Sequence, residues 1–345
     1  MAREPCPGLP RRLPFGRGTT TTNIRMRATA LALVLCSCLC LRAGEAPAQG
    51  TDLRIIAPSA PGTGWDQVAQ ALRSALAEKG GLSASVTNVP GASGIVGLTQ
   101  FLGTEAETDL LVTGLTMLDA SLLSRSGSAF ERLTPIARLS ADYFGVVVPA
   151  NSPFTSLGEL GAALAADPGR LTWAGGPHGG VDHVAAILLG EAAGVSAQRL
   201  NYVPFLTSAE AGTAAGEERV GAAILALSDV QGEIAAGRLR LLGVASTQRL
   251  PGFDVPTLTE AGIPLDFANW RGLAAKPGLS RDQQLRLAAL VYAAIGSPLW
   301  EQTMESRKWR SAFLAPEAFQ AFVRREHQRV KEALKSAGFL KRNGE

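Results

Sequence analysis

The chain has 345 residues, 46% of them hydrophobic and 18% charged; this composition excludes a disordered or fibrous protein and leaves room for two domains. The formal net charge is +3, but seven of the 33 basic residues and only two of the 30 acidic ones lie in residues 1–48, leaving 26 basic and 28 acidic residues in the remainder. The body of the chain is therefore slightly acidic, which argues against a nucleic-acid partner.

The N-terminus reads as an export signal. Arg25 and Arg27 flank Met26, Ala28–Leu41 is a continuous apolar run, and Ala46-Pro47-Ala48 offers small residues at a cleavage site. The run is shorter than the roughly 20 residues a membrane-spanning helix needs. The expectation is a true start at Met26, cleavage near Ala48 and a soluble periplasmic protein. A rival reading takes Leu35-Cys36-Ser37-Cys38 as a lipoprotein box with Cys38 carrying the lipid. All four cysteines (Cys6, Cys36, Cys38, Cys40) lie in this leader, so the mature chain is expected to carry no disulfide.

Strand and helix signals then alternate. Leu53–Ala57 is a short apolar run, read as a buried strand. Pro58–Asp66 follows as a Gly-rich turn, and Gln67–Lys79 carries Val68, Ala71, Leu72, Ala75 and Leu76 at helical spacing. Ser85–Val89 reads as a strand, and Pro90-Gly91-Ala92-Ser93-Gly94 opens a helix running to Leu102. Asp109–Thr113 is the next strand, followed by Gly114-Leu115-Thr116 and a helix over Met117–Leu123. Thr134–Leu139 and Gly145–Pro149 read as two separate strands. Ser156–Ala166 is helical, Leu171–Ala174 a strand, and Gly175–Gly180 opens a helix over Val181–Ala193. Strands over Arg199–Val203, Val220–Leu225 and Leu239–Ala245, with a helix over Ser228–Ala236, complete this stretch. Leu250–Pro264 is a connection, Trp270–Ala275 a further strand, and Ser280–Ile295, Pro298–Ser306 and Pro316–Ser336 are helices. Such alternation predicts an α/β fold with mostly parallel sheets flanked by helices, two of about five strands each.

Enzyme signatures are sparse. There is no P-loop and no Gly-x-Ser-x-Gly elbow, and Gly62-x-Gly64 lacks the third glycine of a dinucleotide fingerprint. His178 and His183 have no cysteine beyond the leader to complete a zinc site. Asp182-His183 with Ser246 or Ser228 is a conceivable hydrolytic set. No cofactor is expected. What remains is a series of Gly, Ser and Thr turns, each at the carboxyl end of a strand and the start of a helix: Gly62–Asp66, Pro90–Gly94, Gly114–Thr116, Gly175–Gly180 and Leu227–Asp229. Ligands of open α/β sheets sit beyond the carboxyl ends of the strands, and helix N-termini favour anions.

Ala60-Pro61-Gly62-Thr63-Gly64-Trp65-Asp66 resembles the Ala-Pro-Gly-Gly-Gly-x-Asp loop of the receptors of tripartite tricarboxylate transporters, the TctC or Bug family. Asn88-Val89-Pro90-Gly91-Ala92-Ser93-Gly94 is similar to the same family's second loop. Ser152-Pro153, Ala235–Leu239, Pro256-Thr257, Glu260-Ala261-Gly262 and Gly272–Pro277 extend the likeness over nearly all of residues 52–340. Ala141-Asp142-Tyr143, Val181-Asp182, Ser228-Asp229 and Trp270-Arg271-Gly272 look closest to the tricarboxylate type. Thr63, Trp65 and Val89 depart from the family pattern.

The resemblance implies a two-domain periplasmic binding protein, a type II-like clamshell, with residues 49–146 and 270–345 in one domain and 147–269 in the other. It implies an exported, monomeric, non-enzymatic receptor that takes a tricarboxylate such as citrate, or a dicarboxylate, and delivers it to the permease subunits of a tripartite tricarboxylate transporter. A sensor subunit serving a signalling kinase, or an α/β hydrolase, is the alternative. Carried over residue by residue, Gly62, Thr63, Gly64, Pro90, Gly91, Ala92, Ser93, Gly94 and Thr116 would grip one carboxylate. Gly175, Gly176, Gly179 and Ser228 would close on the ligand from the other side. Arg271 would pair with a further carboxylate or form a structural salt bridge, and Trp65 would stack on the ligand or wall the cleft. Asp142 and Asp182 are expected to be structural unless the ligand carries an amine. Asp66 is expected to cap its helix.

Overall fold

The structure is a computed structural model and describes residues 53–80, 83–104, 109–124 and 127–341. The proposed signal, its start at Met26, the cleavage site near Ala48 and all four cysteines lie outside the described residues.

The first strand, β1 (Leu53–Ala57), is almost wholly buried, as its apolar run requires. It leads into α1 (Gly64–Gly80), whose Val68, Ala71, Leu72, Ala75 and Leu76 all face the core. Then come β2 (Ala84–Asn88), α2 (Ile95–Gly103), β3 (Asp109–Gly114), α3 (Leu115–Leu123) and a short α4 (Gly127–Glu131). The next strand, β4 (Thr134–Pro149), has 16 residues and merges the two strands expected at its ends. Buried Ser140 and Asp142 interrupt its apolar pattern, and so the sequence reads as two strands where the backbone ladder is continuous. The chain continues through α5 (Leu157–Ala166), β5 (Thr172–Gly175), α6 (Val181–Ala192), β6 (Asn201–Pro204), α7 (Ser208–Gly216), β7 (Ala222–Ala226), α8 (Leu227–Ala235), β8 (Leu239–Val244) and β9 (Ala268–Ala275). Last come α9 (Arg281–Ile295), α10 (Pro298–Ser306), β10 (Arg310–Leu314) and α11 (Pro316–Ser336). Ser280 caps α9 through a reciprocal pair with Gln283.

Helices α4 and α7 and strand β10 are additions to the sequence reading. The α7 segment, Ser-Ala-Glu-Ala-Gly-Thr-Ala-Ala-Gly, is rich in small residues and has little apolar periodicity, although Thr207 caps it by accepting from Glu210 N–H.

The ten strands form one twisted sheet in the order β2-β1-β3-β9-β4-β7-β5-β6, with β8 and β10 also pairing with β4. The outer ladders β1–β2, β1–β3, β5–β6 and β5–β7 are parallel, as the βα alternation predicts. Every ladder made by β4 or β9 is antiparallel. β4 spans the sheet: its first half pairs with β9 and β10, its second with β7 and β8. The described residues form one compact unit.

Candidate functional site

Arg271 anchors the site, and strand register fixes its place. It lies opposite Gly114 on β3 and Ser140 on β4, while Asn269 lies opposite Asp142. The residue is only 7% exposed. Its guanidinium lies 4.0 Å from the ring centroid of Trp309, a cation–π contact, and its Nη2 is 3.8 Å from Asp142 Oδ2. That separation is an ion pair but too long for a hydrogen bond. Nη1 is buried and has no hydrogen-bond partner. Burial pulls the guanidinium down from its usual range, while Asp142 and Asp229 hold it up. A buried cation with an unused donor is costly to leave unmatched.

Around this cation, Thr63, Gly64, Trp65, Thr116 and Arg271 line one cavity of about 230 Å³, joined by Ser59 and Asn269. Five of the expected residues thus converge. Thr63 donates its hydroxyl toward Ser59 Oγ and Ala60 O, both at 2.7 Å. Gly64 lies directly against Arg271: a Cβ there would stand 3.0 Å from Nη2. Trp65 both walls the cavity and roofs the second loop, since a Cβ on Gly94 would stand 2.8 Å from its ring.

The second loop is conformationally unusual. Gly91, Ala92, Ser93 and Gly94 have φ of 139, 46, 50 and 92°. Two non-glycine residues in the left-handed region, side by side, mark a strained turn. Pro90–Ser93 are exposed and Gly94 is buried. Asn88 ties the two loops together by donating to Ser59 O and Asp66 Oδ1.

Several expected amide donors are already used. Gly62 N–H donates to Asp66 Oδ2 at 2.7 Å, and Gly94 N–H to Gly91 O at 3.0 Å. Asp66 is therefore a staple of the first loop. Burial acts against its charge, but the bonds from Gly62, Asn88 and Gln70 together hold its carboxyl below the ordinary range. On the far side, Gly176 N–H donates to Asp182 Oδ2 and Gly179 N–H to His183 Nδ1. A Cβ on Gly175 would strike the Tyr202 hydroxyl, and one on Gly179 would approach Leu123 and Phe339. Gly175, Gly176 and Gly179 are not among the residues lining the Arg271 cavity. The amides of Gly62, Gly94, Gly176 and Gly179 each donate within their own loop or to the first turn of the helix that follows it.

Ser228 acts through another residue. Its N–H and hydroxyl both donate to Asp142, which holds the carboxylate beside Arg271. Burial pushes Asp142 up, and Arg271 and Ser228 oppose that. Asp182, likewise pushed up by burial, accepts from Ser208 as well as Gly176. Both carboxylates are thus engaged by protein donors. Asp229, next to Ser228, remains open to solvent. Yet the surrounding protein, with the charges of Asp142 and Asp182, lifts its carboxyl to about 7 against the pull of Arg271.

The hydrolytic set does not assemble. His183 is buried, stacked on Tyr202 with centroids 4.0 Å apart, and burial lowers it to about 4. Its Nδ1 is taken by Gly179, Ser228 serves Asp142, and Ser246 donates to Gln248 O. Among the described residues no cluster of three or more His, Cys, Asp or Glu is placed to hold a metal, and no helix is long and apolar enough to cross a membrane.

Asn269, Ser59 and Trp309 escaped the sequence reading. Asn269 is visible only through the register of β9 against β4, and Trp309 only through the fold.

The two glycines beside the cavity give opposite tests. Gly94→Ala places a Cβ at positive φ and against Trp65; the backbone cost alone is roughly 1–2 kcal/mol, so a lower melting temperature is expected. Gly64→Ala has no such backbone penalty and meets only the end of Arg271. Its melting temperature should stay near the parent's, while affinity for a ligand held in the Arg271 cavity falls by about threefold to tenfold. Thermal melts and calorimetry on both variants check this.

Residues 68–339 match the TctC family, the tripartite tricarboxylate transporter family receptor. A UPF0065 protein encoded between tcbD and tcbE in Pseudomonas sp. (strain P51) is 29% identical over 79% of this chain and 82% of its own length. A TctC solute-binding protein from Polaromonas, solved without ligand, is 26% identical with a TM-score of 0.71, covering 82% of this chain and 98% of its own. An R. palustris protein solved with adipate is 23% identical with a TM-score of 0.68, covering 83% of this chain and 97% of its own. With this match over most of its length, the chain belongs to the tripartite tricarboxylate transporter receptor family, whose members are extracytoplasmic solute-binding proteins and not enzymes.

Proposed function

We propose that the protein captures a small dicarboxylate or tricarboxylate, with citrate as the type case, and delivers it to the permease of a tripartite tricarboxylate transporter. The observation that carries this reading is the buried cation Arg271, whose side chain lines a cavity together with Ser59, Thr63, Thr116 and Asn269. A planar fork of that kind matches a carboxylate by two parallel hydrogen bonds. Thr63, Thr116, Ser59 and Asn269 offer the remaining polar contacts, and the first turn of α1 adds helix N–H groups and a favourable dipole. The bound adipate of the R. palustris relative supports a dicarboxylate of similar size.

In this reading residues 49–146 with 270–345 form one lobe and 147–269 the other, with β4 and β9 as the crossings. The export signal is removed near Ala48, and the mature protein works as a periplasmic monomer. Binding closes the lobes by a hinge motion. Titration calorimetry with citrate, malate and adipate tests the capture, with product analysis to verify that the bound acid is recovered unchanged. Small-angle scattering should show compaction with the acid that binds. Failure of all three acids to bind, or consumption of one, would overturn the proposal.

A further inference from the structure

A second cavity lies away from Arg271, against the sheet and under α11. It measures about 370 Å³ and shares no residue with the Arg271 cavity. Its floor is Ala274 on β9, Thr113 on β3 and Pro135 on β4. Phe130, Leu133, Phe319 and Val323 form the walls. Phe319 is fully buried and meets Trp270 edge-on at 5.6 Å, so this wall is preformed. The volume falls in the range of small-ligand pockets, roughly 300–1,000 Å³.

The mouth has a different chemistry. Glu131 and His327, paired at 3.4 Å, line this chamber and also a second hollow of about 370 Å³. That hollow carries Lys331, Lys335 and Lys341, and Arg324 stands on the chamber's own rim. Arg324, Lys331 and Lys335 share one face of α11 with Gln320 and His327, at three- or four-residue steps, so that face carries three cations beside two polar neighbours. Among the residues lining the two hollows, Glu131 is the one carboxylate beside Arg324, Lys331 and Lys341. The apolar walls favour a hydrocarbon group, and the cations at the rim favour a negative charge at its outer end.

We propose that this chamber is a second ligand site, for a small amphipathic monocarboxylate whose hydrocarbon part enters the chamber and whose carboxylate meets Arg324 and the lysines of the mouth. The site does not depend on what the Arg271 cavity binds.

Octanoate, butyrate and octan-1-ol are suitable probes, titrated into the protein below their aggregation limits. Octanoate is expected to bind at least tenfold more tightly than butyrate, because only the longer chain fills the chamber, and at least fivefold more tightly than octan-1-ol, which lacks the charge. Val323→Trp fills the chamber and should remove octanoate binding. Arg324→Glu changes an exposed side chain, leaves the fold intact by its melting temperature, and should weaken octanoate at least fivefold with little effect on octan-1-ol. Octanoate binding that is absent in the millimolar range, or unchanged in Arg324→Glu, would overturn the proposal. So would unchanged binding in a folded Val323→Trp.

Discussion

Arg271→Ala is expected to weaken binding of the cognate acid by at least a hundredfold, and it should also destabilise the fold. The two losses have separate causes. A bidentate carboxylate contact comprises two charge-assisted hydrogen bonds, each worth about 1.5–3 kcal/mol; losing both exceeds the 2.7 kcal/mol or so that a hundredfold change represents. The stability loss arises behind the site. Asp142 is buried and pushed up by burial, and Arg271 is the cation that offsets it. Removing one partner of a buried pair costs about 3–5 kcal/mol. A double variant separates the effects. Arg271→Met with Asp142→Asn leaves no buried charge in the pair, and the introduced side-chain amide keeps an oxygen to accept from Ser228 N–H. It should melt close to the parent and still fail to bind. Arg271→Lys should not rescue binding, because an ammonium has no planar fork to match a carboxylate and stack on Trp309. If a third carboxylate meets this side chain, the loss is larger for citrate than for malate. Calorimetry on the folded double variant decides the matter: parent-like affinity would remove Arg271 from the binding site and leave it a structural cation.

How far the sequence foretold this site depends on how local each signal is. Gly62–Asp66 and Pro90–Gly94 are local turns whose glycines and flanking apolar runs are contiguous in the chain, so their position at strand ends was readable directly. Arg271 is marked in the sequence only by a Trp-Arg-Gly segment on a strand; its register opposite Ser140 comes from pairing across more than 100 residues, and its ring contact with Trp309 from a later segment that only the fold brings back. The single strand β4 was hidden because Ser140 and Asp142, the polar residues that serve the site, break the pattern that marks a strand. Donor availability was also out of reach. Whether an amide is free depends on which side chain folds back on it, and Asp66, Asp182 and His183 each claim one. Asp119 was equally invisible, an acid on α3 that is buried with one oxygen unpartnered and raised by burial to about 8. Nothing in its helical spacing distinguishes it from a solvent-facing residue.

Carboxylate affinity is expected to fall as pH rises through about 7, and Asp229 is the reason. Its carboxyl is desolvated by the protein around it and close enough to Arg271 for their charges to interact, so it shares the electrostatic environment of the anion's proposed counter-charge. The surrounding protein, Asp142 and Asp182 raise its carboxyl to about 7, with Arg271 opposing. At pH 6 the group is mostly neutral and leaves the attraction of Arg271 for an anion unopposed. At pH 8 it is mostly charged and repels one. At an effective dielectric near 20 the repulsion between two unit charges is about 4 kcal/mol at about 4 Å and falls inversely with distance, so a change of up to about tenfold is expected between those pH values. The sign for stability is the same. A carboxyl raised on folding binds its proton more tightly in the native state, so its contribution is present below the unfolded value near 4 and is lost as pH rises through about 7. Asp229→Asn should therefore flatten the affinity profile for a dicarboxylate already ionised at pH 6 and raise the melting temperature at pH 8 more than at pH 5. Calorimetry in buffers of different ionisation enthalpy should show proton uptake on binding in the parent at pH 8 and none from this group in the variant. A ligand carrying an ammonium would reverse the slope, since a charged Asp229 would then attract it. Affinity that rises with pH, and loses that rise in Asp229→Asn, would replace the simple carboxylate with an amino acid as the captured solute.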